Sequence, residues 1–391
     1  MSERDAVLGA WRELRERGED AVLATVVHVT GSAYRRPGAR MLVLRDGRRV
    51  GTISGGCLEG DLARKCWWLT ESGQPLVRIY DTSDDDDGAW EFGLGCNGQV
   101  YVLLERIRTS EAESALAFLD GCLRSRTPAA VATVIAAGHS GRAVGDRLLV
   151  DASGICGGSL ATSALKTVVA EHAVRSLADG RSCLARVDDC EAFIEVLAVP
   201  PDVLVLGAGD DAVPLVSMAG TLGWRVTVAD GRPAYATADR FPGATRLVLL
   251  RRGELPADLD IDRNSVVVMM THNYPLDRRL LPHLLDRRPR YLGLLGPRAR
   301  SERLFREIGL PVPSWVHAPI GHDIGGDDPA GVALSIAAEV QAVIAGRRGG
   351  ELRGRLEPIH AAVRETGTPP IGSVRGERPR FCEVIGGIRA S

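Results

Sequence analysis

The sequence predicts an α/β protein in which an N-terminal α+β region containing an internal duplication precedes a domain built on a parallel sheet. Three observations carry that prediction. Strand-like runs at 203–206, 225–229, 246–250, 265–271, 291–295 and 315–318 alternate with helix-length or loop segments, the mark of βαβ units. Gly207-Ala-Gly-Asp-Asp-Ala212 follows the first of those runs and opens a helix-like segment, matching the G-x-G-x-x-G/A pattern of Rossmann-like folds. Upstream, Ala21-Val-Leu-Ala-Thr-Val-Val27, Arg40-Met-Leu-Val43 and Ile53-Ser-Gly-Gly-Cys-Leu58 are echoed in order by Ala130-Val-Ala-Thr-Val-Ile135, Arg147-Leu-Leu-Val150 and Ile155-Cys-Gly-Gly-Ser-Leu160.

Taken along the chain, residues 1–20 are charged and helical in pattern, and residues 1–108 form the first copy of the repeated unit. Residues 109–199 form a degenerate second copy packed with the first, with Ser159 expected in the place of Cys57. The double proline in Ala198-Val-Pro-Pro-Asp202 forbids helix continuation and marks the entry to the domain spanning 200–349. A last helix is expected from Pro329 through Ala345, with proline near its start and Gly346 just past its end. From 350 to 391 the pattern fades into Gly, Pro and Arg, and a partly mobile tail is expected.

With 391 residues, 45% hydrophobic and 25% charged, the chain can bury sizeable cores, and its formal charge of -2 gives no electrostatic reason to expect nucleic acid or a membrane surface as partner. It has neither a secretory h-region nor an apolar run of about 18 residues, which leads to the expectation of a cytoplasmic protein. Its eight cysteines are too sparse for a disulfide scaffold and include no Cys-x-x-Cys pair, so they read as reduced thiols and no metal site is expected.

Two of those cysteines stand out. Cys57 lies in Ile53-Ser-Gly-Gly-Cys-Leu-Glu-Gly-Asp61 and Cys96 in Phe92-Gly-Leu-Gly-Cys-Asn-Gly98. Glycines on both sides leave a thiol little cover, so a ligand can approach against bare backbone. Between two strands, Arg35, Arg36 and Arg40 sit in a turn-rich loop where guanidinium forks suit a phosphate or pyranopterin-like ligand.

In the second domain, Gly207 and Gly209 let a phosphate approach a helix N-terminus, and Asp230, about 20 residues on, stands where an acid bonds a ribose hydroxyl. Thr271 and His272 end the fourth strand and Arg298 follows the fifth, so they line the same nucleotide-type crevice. His272 suits acid–base chemistry, metal ligation or a plain loop hydrogen bond; Arg298 suits a phosphate or a solvated helix start. Asp210 and Asp211 put like charge where a pyrophosphate would dock, leaving NAD(P) binding an open alternative.

The set Gly31-Ser-Ala-Tyr-Arg-Arg-Pro-Gly-Ala-Arg-Met41, Gly55-Gly-Cys-Leu-Glu59, Gly95-Cys-Asn-Gly98, Val205-Leu-Gly-Ala-Gly209, Val268-Met-Met-Thr-His272, Leu294-Leu-Gly296 and His317-Ala-Pro-Ile-Gly321 resembles the XdhC/CoxI family. The resemblance runs in order from residue 10 to 346, with Asn97 where the family usually has Gly and Asp210 where it commonly has His. It implies a maturation factor that holds molybdenum cofactor, helps its sulfuration and delivers it to a molybdenum hydroxylase such as xanthine dehydrogenase. A cysteine desulfurase would be its other partner, and a homo-oligomer is open. By the same resemblance Cys57 and Cys96 contact the cofactor, Gly55, Gly56 and Gly95 make room for it, and Arg35, Arg36 and Arg40 hold its phosphate. An NAD(P)-dependent oxidoreductase, or a nucleotide-sensing binder, is the alternative; the length of the sequence and its lack of an iron–sulfur cysteine framework argue against a molybdenum hydroxylase catalytic chain.

Overall fold

A computed structural model describes residues 3–31, 34–81, 98–137, 143–187, 189–354 and 364–366. Helix α1 (Glu3–Arg17) buries Val7, Leu8, Trp11 and Leu14, the one-face spacing of an amphipathic helix, with acids in its first turn and arginines in its last to complement the dipole. Five antiparallel strands follow: β1 (Ala21–Gly31), β2 (Arg40–Leu44), β3 (Arg49–Gly51), β4 (Leu76–Asp81) and β5 (Gly98–Arg106), in the order β3-β2-β1-β5-β4. Helix α2 (Cys57–Leu69) lies between β3 and β4. Alternation along β1 sends Val22, Ala24 and Val26 into the cluster under α2, and Leu23 and Val27 to the opposite face.

Helix α3 (Ser110–Ser125), capped by the Thr109 side chain, links to a second sheet. Its strands β6 (Ala129–Ala136), β7 (Arg147–Asp151), β8 (Gly154–Gly157), β9 (Cys183–Val187) and β10 (Cys190–Leu197) are ordered β8-β7-β6-β10-β9, the same path as the first sheet, and α4 (Lys166–Asp179) takes the place of α2. The match extends to register: Thr25 pairs with Arg40 as Thr133 pairs with Arg147, and Leu23 pairs with Glu105 as Val131 pairs with Glu195. Gly51 (φ 86°) and Gly158 (φ 96°) are likewise equivalent, because a Cβ on either would come within 2.3 Å of the carbonyl oxygen of Arg40 or Arg147. That equivalence corrects the expected place of Ser159. Leu160, fully buried two residues past Gly158, matches Ile53, buried two residues past Gly51, so Ser159 answers Thr52 and not Cys57. Identical Gly-Gly dipeptides suggested the other alignment, but core burial decides which residues correspond.

Beyond Pro201 a six-stranded parallel sheet forms from β11 (Asp202–Leu206), β12 (Arg225–Asp230), β13 (Arg246–Leu249), β14 (Val266–Met269), β15 (Tyr291–Leu294) and β16 (Val316–His317). Its order, β13-β12-β11-β14-β15-β16, is that of a Rossmann fold and reverses between β11 and β14. Helices α5 (Ala212–Thr221) and α8 (Pro329–Ile344) pack on one core cluster, α6 (Tyr274–Arg287) and α7 (Arg298–Glu307) on the other, so both faces are covered. The strand runs read from sequence end one or two residues late at 250 and 271, because Leu250, Met270 and Thr271 stay buried after strand pairing stops. Within the tail, β17 (Arg364–Thr366) adds parallel to β9 as a sixth strand of the second sheet. Among the described residues no helix is long and apolar enough to cross a membrane.

Candidate functional site

The glycine approach to Cys57 is shaped by Ser54 and Glu59. The buried Glu59 carboxylate accepts from the backbone N–H of Ile53 (3.0 Å) and Ser54 (2.7 Å) and from the Ser54 hydroxyl. Ser54 Oγ accepts in turn from the N–H of Gly56 and Leu58, each at 3.2 Å. Burial pushes the Glu59 carboxyl up, but the Ser54 hydroxyl and the backbone donors outweigh it and hold the group below the ordinary glutamate range. The chain then turns through Gly56 at φ 116°, with open space where a Cβ would stand, and the backbone of Cys57 begins α2. The exposed ring of Tyr34 covers Gly55, whose Cβ would lie 3.7 Å from it. The side chain of Cys57, and Gly95 and Cys96 entirely, lie outside the described residues.

The arginine loop borders a cleft of about 380 Å³ between α1, residues 34–40 and the end of β10. Its three predicted arginines have different fates. Arg35 is held by Glu3, whose other oxygen accepts from the N–H and the hydroxyl of Thr52 at 2.7 Å each, so one carboxylate ties the helix start, the loop and the exit of β3 together. Arg36 stands exposed at the rim, its guanidinium held below its ordinary value by partial burial and by the like charge of Arg347. Arg40 corrects the sequence reading. It turns inward onto Glu195, with side chains 12% and 6% exposed, so this guanidinium is committed to a buried ion pair and is not the cation offered to a phosphate. Arg4, which the sequence did not single out, lines the same cleft and donates to Ala198 O at 3.4 Å. A helical residue facing a loop 30 positions away leaves no local signal.

A second cavity, about 410 Å³, opens at the carboxyl ends of β11, β12 and β14. Gly207, Asp230, Thr271 and His272 line it; Gly209 and Arg298 are not among its lining residues, Gly209 lying half-buried in the loop and Arg298 exposed at the start of α7. Gly207 sits at φ 115°, and a Cβ there would meet Met270 O at 2.3 Å and Thr271 Cα at 2.9 Å, so only glycine lets the loop lie on the backbone just past β14. Asp230 accepts from the N–H of Ala208 (2.7 Å) and of Arg232 (2.8 Å), and from Arg232 Nε (3.0 Å) and Nη2 (2.8 Å). Burial pushes its carboxyl up, but those donors prevail and hold it below the usual aspartate range. The two acids of the glycine loop are both partnered: Asp210 by Arg240 at 2.5 Å, and Asp211 by His272 Nε2 at 2.7 Å. His272 reaches across from φ 53°, an uncommon backbone setting outside glycine. Thr271 donates to Asp277, which also pairs with Arg300 at 2.8 Å.

No group of three His, Cys, Asp or Glu side chains suited to a metal ion occurs among the described residues. His317 belongs to a half-buried network in which Glu339 accepts from its Nδ1 (2.9 Å), from Tyr291 OH (2.5 Å) and from the N–H of Gly321 (2.8 Å).

Comparison with known proteins places both halves. A family model described as the XdhC Rossmann domain matches residues 203–340, and one described as the XdhC and CoxI family matches 14–81 and 122–188, one segment in each antiparallel sheet. The chain is 33% identical over 335 residues to a Bacillus subtilis (strain 168) protein named as a probable component of xanthine dehydrogenase, covering 84% of this chain and 94% of that one. It is 26% identical over 332 residues to the molybdenum cofactor insertion chaperone PaoD of Escherichia coli (strain K12), covering 83% and 84%. A crystal structure from Bacillus halodurans, described as a xanthine dehydrogenase, is similar at TM-score 0.74 and 28% identity, over 89% of this chain and 97% of that one.

Proposed function

The chain belongs to the XdhC and CoxI family, and from that membership we propose that it is a maturation factor that carries molybdenum cofactor to a xanthine dehydrogenase-type molybdenum hydroxylase. In this reading the cofactor is cargo, a cysteine desulfurase supplies sulfur for its maturation, and the exchange takes place in the cytoplasm. What carries the proposal is the likeness to an insertion chaperone across both halves of the chain. The local geometry supports it: a strand exit held by Glu59, a bare turn at Gly56 and the Tyr34 ring leave backbone open beside a cleft lined by Arg4, Arg35 and Arg36.

Each residue has a role in that scheme. Cys57 and Cys96 present soft sulfur to the molybdenum dithiolene, which thiolate suits better than carboxylate. Arg36 and Arg4 face the terminal phosphate, while Arg35 and Arg40 fix the loop through Glu3 and Glu195. Cys66 and Cys122 are buried in the cores, and desolvation pushes both thiols up to about 11, which keeps them protonated and inert.

The test is retention of molybdenum and of pterin fluorescence after gel filtration of the loaded protein. Cys57→Ala and Cys96→Ala are each expected to lower retention with the melting temperature preserved, whereas Cys66→Ala and Cys122→Ala are not. Equal retention by wild type and the Cys57→Ala, Cys96→Ala double variant overturns the assignment of the thiols.

A further inference from the structure

We propose that the crevice of the parallel sheet binds a dinucleotide whose adenosine ribose carries free 2′- and 3′-hydroxyls, and that Arg232 occupies the ribose seat on Asp230 until that ligand displaces it. The cavity of about 410 Å³ lies where the strand order reverses between β11 and β14, the position at which open α/β sheets take ligands, and its size falls within the range of small-molecule pockets. Its floor is the bare backbone of Gly207, pressed onto Met270 and Thr271.

An ionised carboxylate offers about four lone-pair sites. At Asp230 all four are taken, one by the glycine-loop N–H of Ala208 and three by the backbone and guanidinium of Arg232. A ribose diol can therefore donate to Asp230 only if the guanidinium leaves. The guanidinium can swing into solvent because its side chain is 50% exposed; in its seat it also stacks 3.9 Å from the centre of the Tyr235 ring, a contact the ligand must displace with it.

A 2′-phosphate fits this arrangement badly. Were Arg232 to clamp it, Asp230 would be left ionised and unneutralised beside a dianion. The negative charge of the glycine loop is not an obstacle to the pyrophosphate, because Arg240 neutralises Asp210 and His272 is bonded to Asp211.

Calorimetric titration of the full-length protein with NADH, NADPH and ADP-ribose tests the proposal. NADH is expected to bind at least about tenfold more tightly than NADPH, with ADP-ribose competing for the same seat. Arg232→Ala, a substitution on the solvent side, should tighten NADH several-fold because the internal competitor is gone. Asp230→Asn should weaken it about tenfold, with a thermal melt run in parallel to score folding. Unchanged or weakened NADH binding in Arg232→Ala, a preference for NADPH, or no saturation by any of the three at millimolar concentration overturns the proposal. None of these outcomes depends on molybdenum cofactor, so the two readings stand or fall separately.

Discussion

Arg147 on β7 of the second sheet grips Glu105 on β5 of the first through two hydrogen bonds, at 2.6 and 2.8 Å, and Arg40 on β2 of the first sheet grips Glu195 on β10 of the second in the opposite sense. The four residues occupy corresponding positions in the two copies, and each arginine also donates to the carbonyl of an equivalent glycine, Gly145 or Gly38, at 3.2 Å. The duplicated halves are thus cross-linked about a pseudo-dyad, as the two protomers of a symmetric dimer would be.

Breaking one pair should be expensive. Arg147 and Glu105 have side chains only 5% and 1% exposed, so Arg147→Met strands a buried carboxylate and is expected to cost about 3–5 kcal/mol. Replacing both partners with apolar residues of similar volume should cost far less. Chemical denaturation of the single and double variants measures this, and a single variant within about 1 kcal/mol of wild type contradicts it.

The Glu339 network predicts an acid limb of stability. Burial pushes the Glu339 carboxyl up, but donors from His317, Tyr291 and Gly321 prevail and hold it at about 2. An unfolded glutamate titrates near about 4.3, so the folded value is depressed: the stabilisation is complete above that pH and is lost as pH falls toward 2. Thermal melts between pH 6 and pH 2.5 should show the decline, flattened in Glu339→Gln; an equal slope in both proteins would show that Glu339 is not its source.

Gly207 and Gly209 should respond differently to alanine. At Gly207 the added Cβ meets backbone that cannot move, at φ 115°, and a loss of about 2 kcal/mol or more is expected. At Gly209 it meets only the Asp211 carboxylate, 2.3 Å from the Cβ position, which can swing away at the expense of its bond to His272. Parallel melts of the two variants decide the matter, and similar losses would mean that the loop is not pressed on β14 as described.

Glu3 should matter more for cargo than for folding. It lies at the surface, with its side chain 36% exposed, so Glu3→Ala should cost less than about 1 kcal/mol. Released from it, Arg35 and the residues before Cys57 lose their common anchor, and cofactor retention should drop several-fold. Full retention at unchanged stability would remove the arginine loop from the binding scheme.

The sequence by itself determined the elements whose signal is local. The glycine pattern at 207–212, the acid at 230 and the six apolar runs specify a parallel sheet, because strand burial on both faces and the glycine turn are written in consecutive residues. The repeat was legible in the same way, as two similar apolar runs, Ala21–Val27 and Ala130–Ile135, each followed by a second strand-like run and a Gly-Gly pair. Only the tertiary structure decided what the charged residues do. Arg35, Arg36 and Arg40 are nearly neighbours in sequence, yet one meets Glu3, one stands at the rim and one is buried on Glu195, 155 positions away. The sequence marks Asp230 as a ribose acceptor, whereas the fold sets the Arg232 guanidinium on its lone pairs. Hydrophobic periodicity is a property of one segment, whereas the fate of a charge depends on which partner the fold brings within about 3 Å, whether that partner lies two positions away, as Arg232 does from Asp230, or 155, as Glu195 does from Arg40.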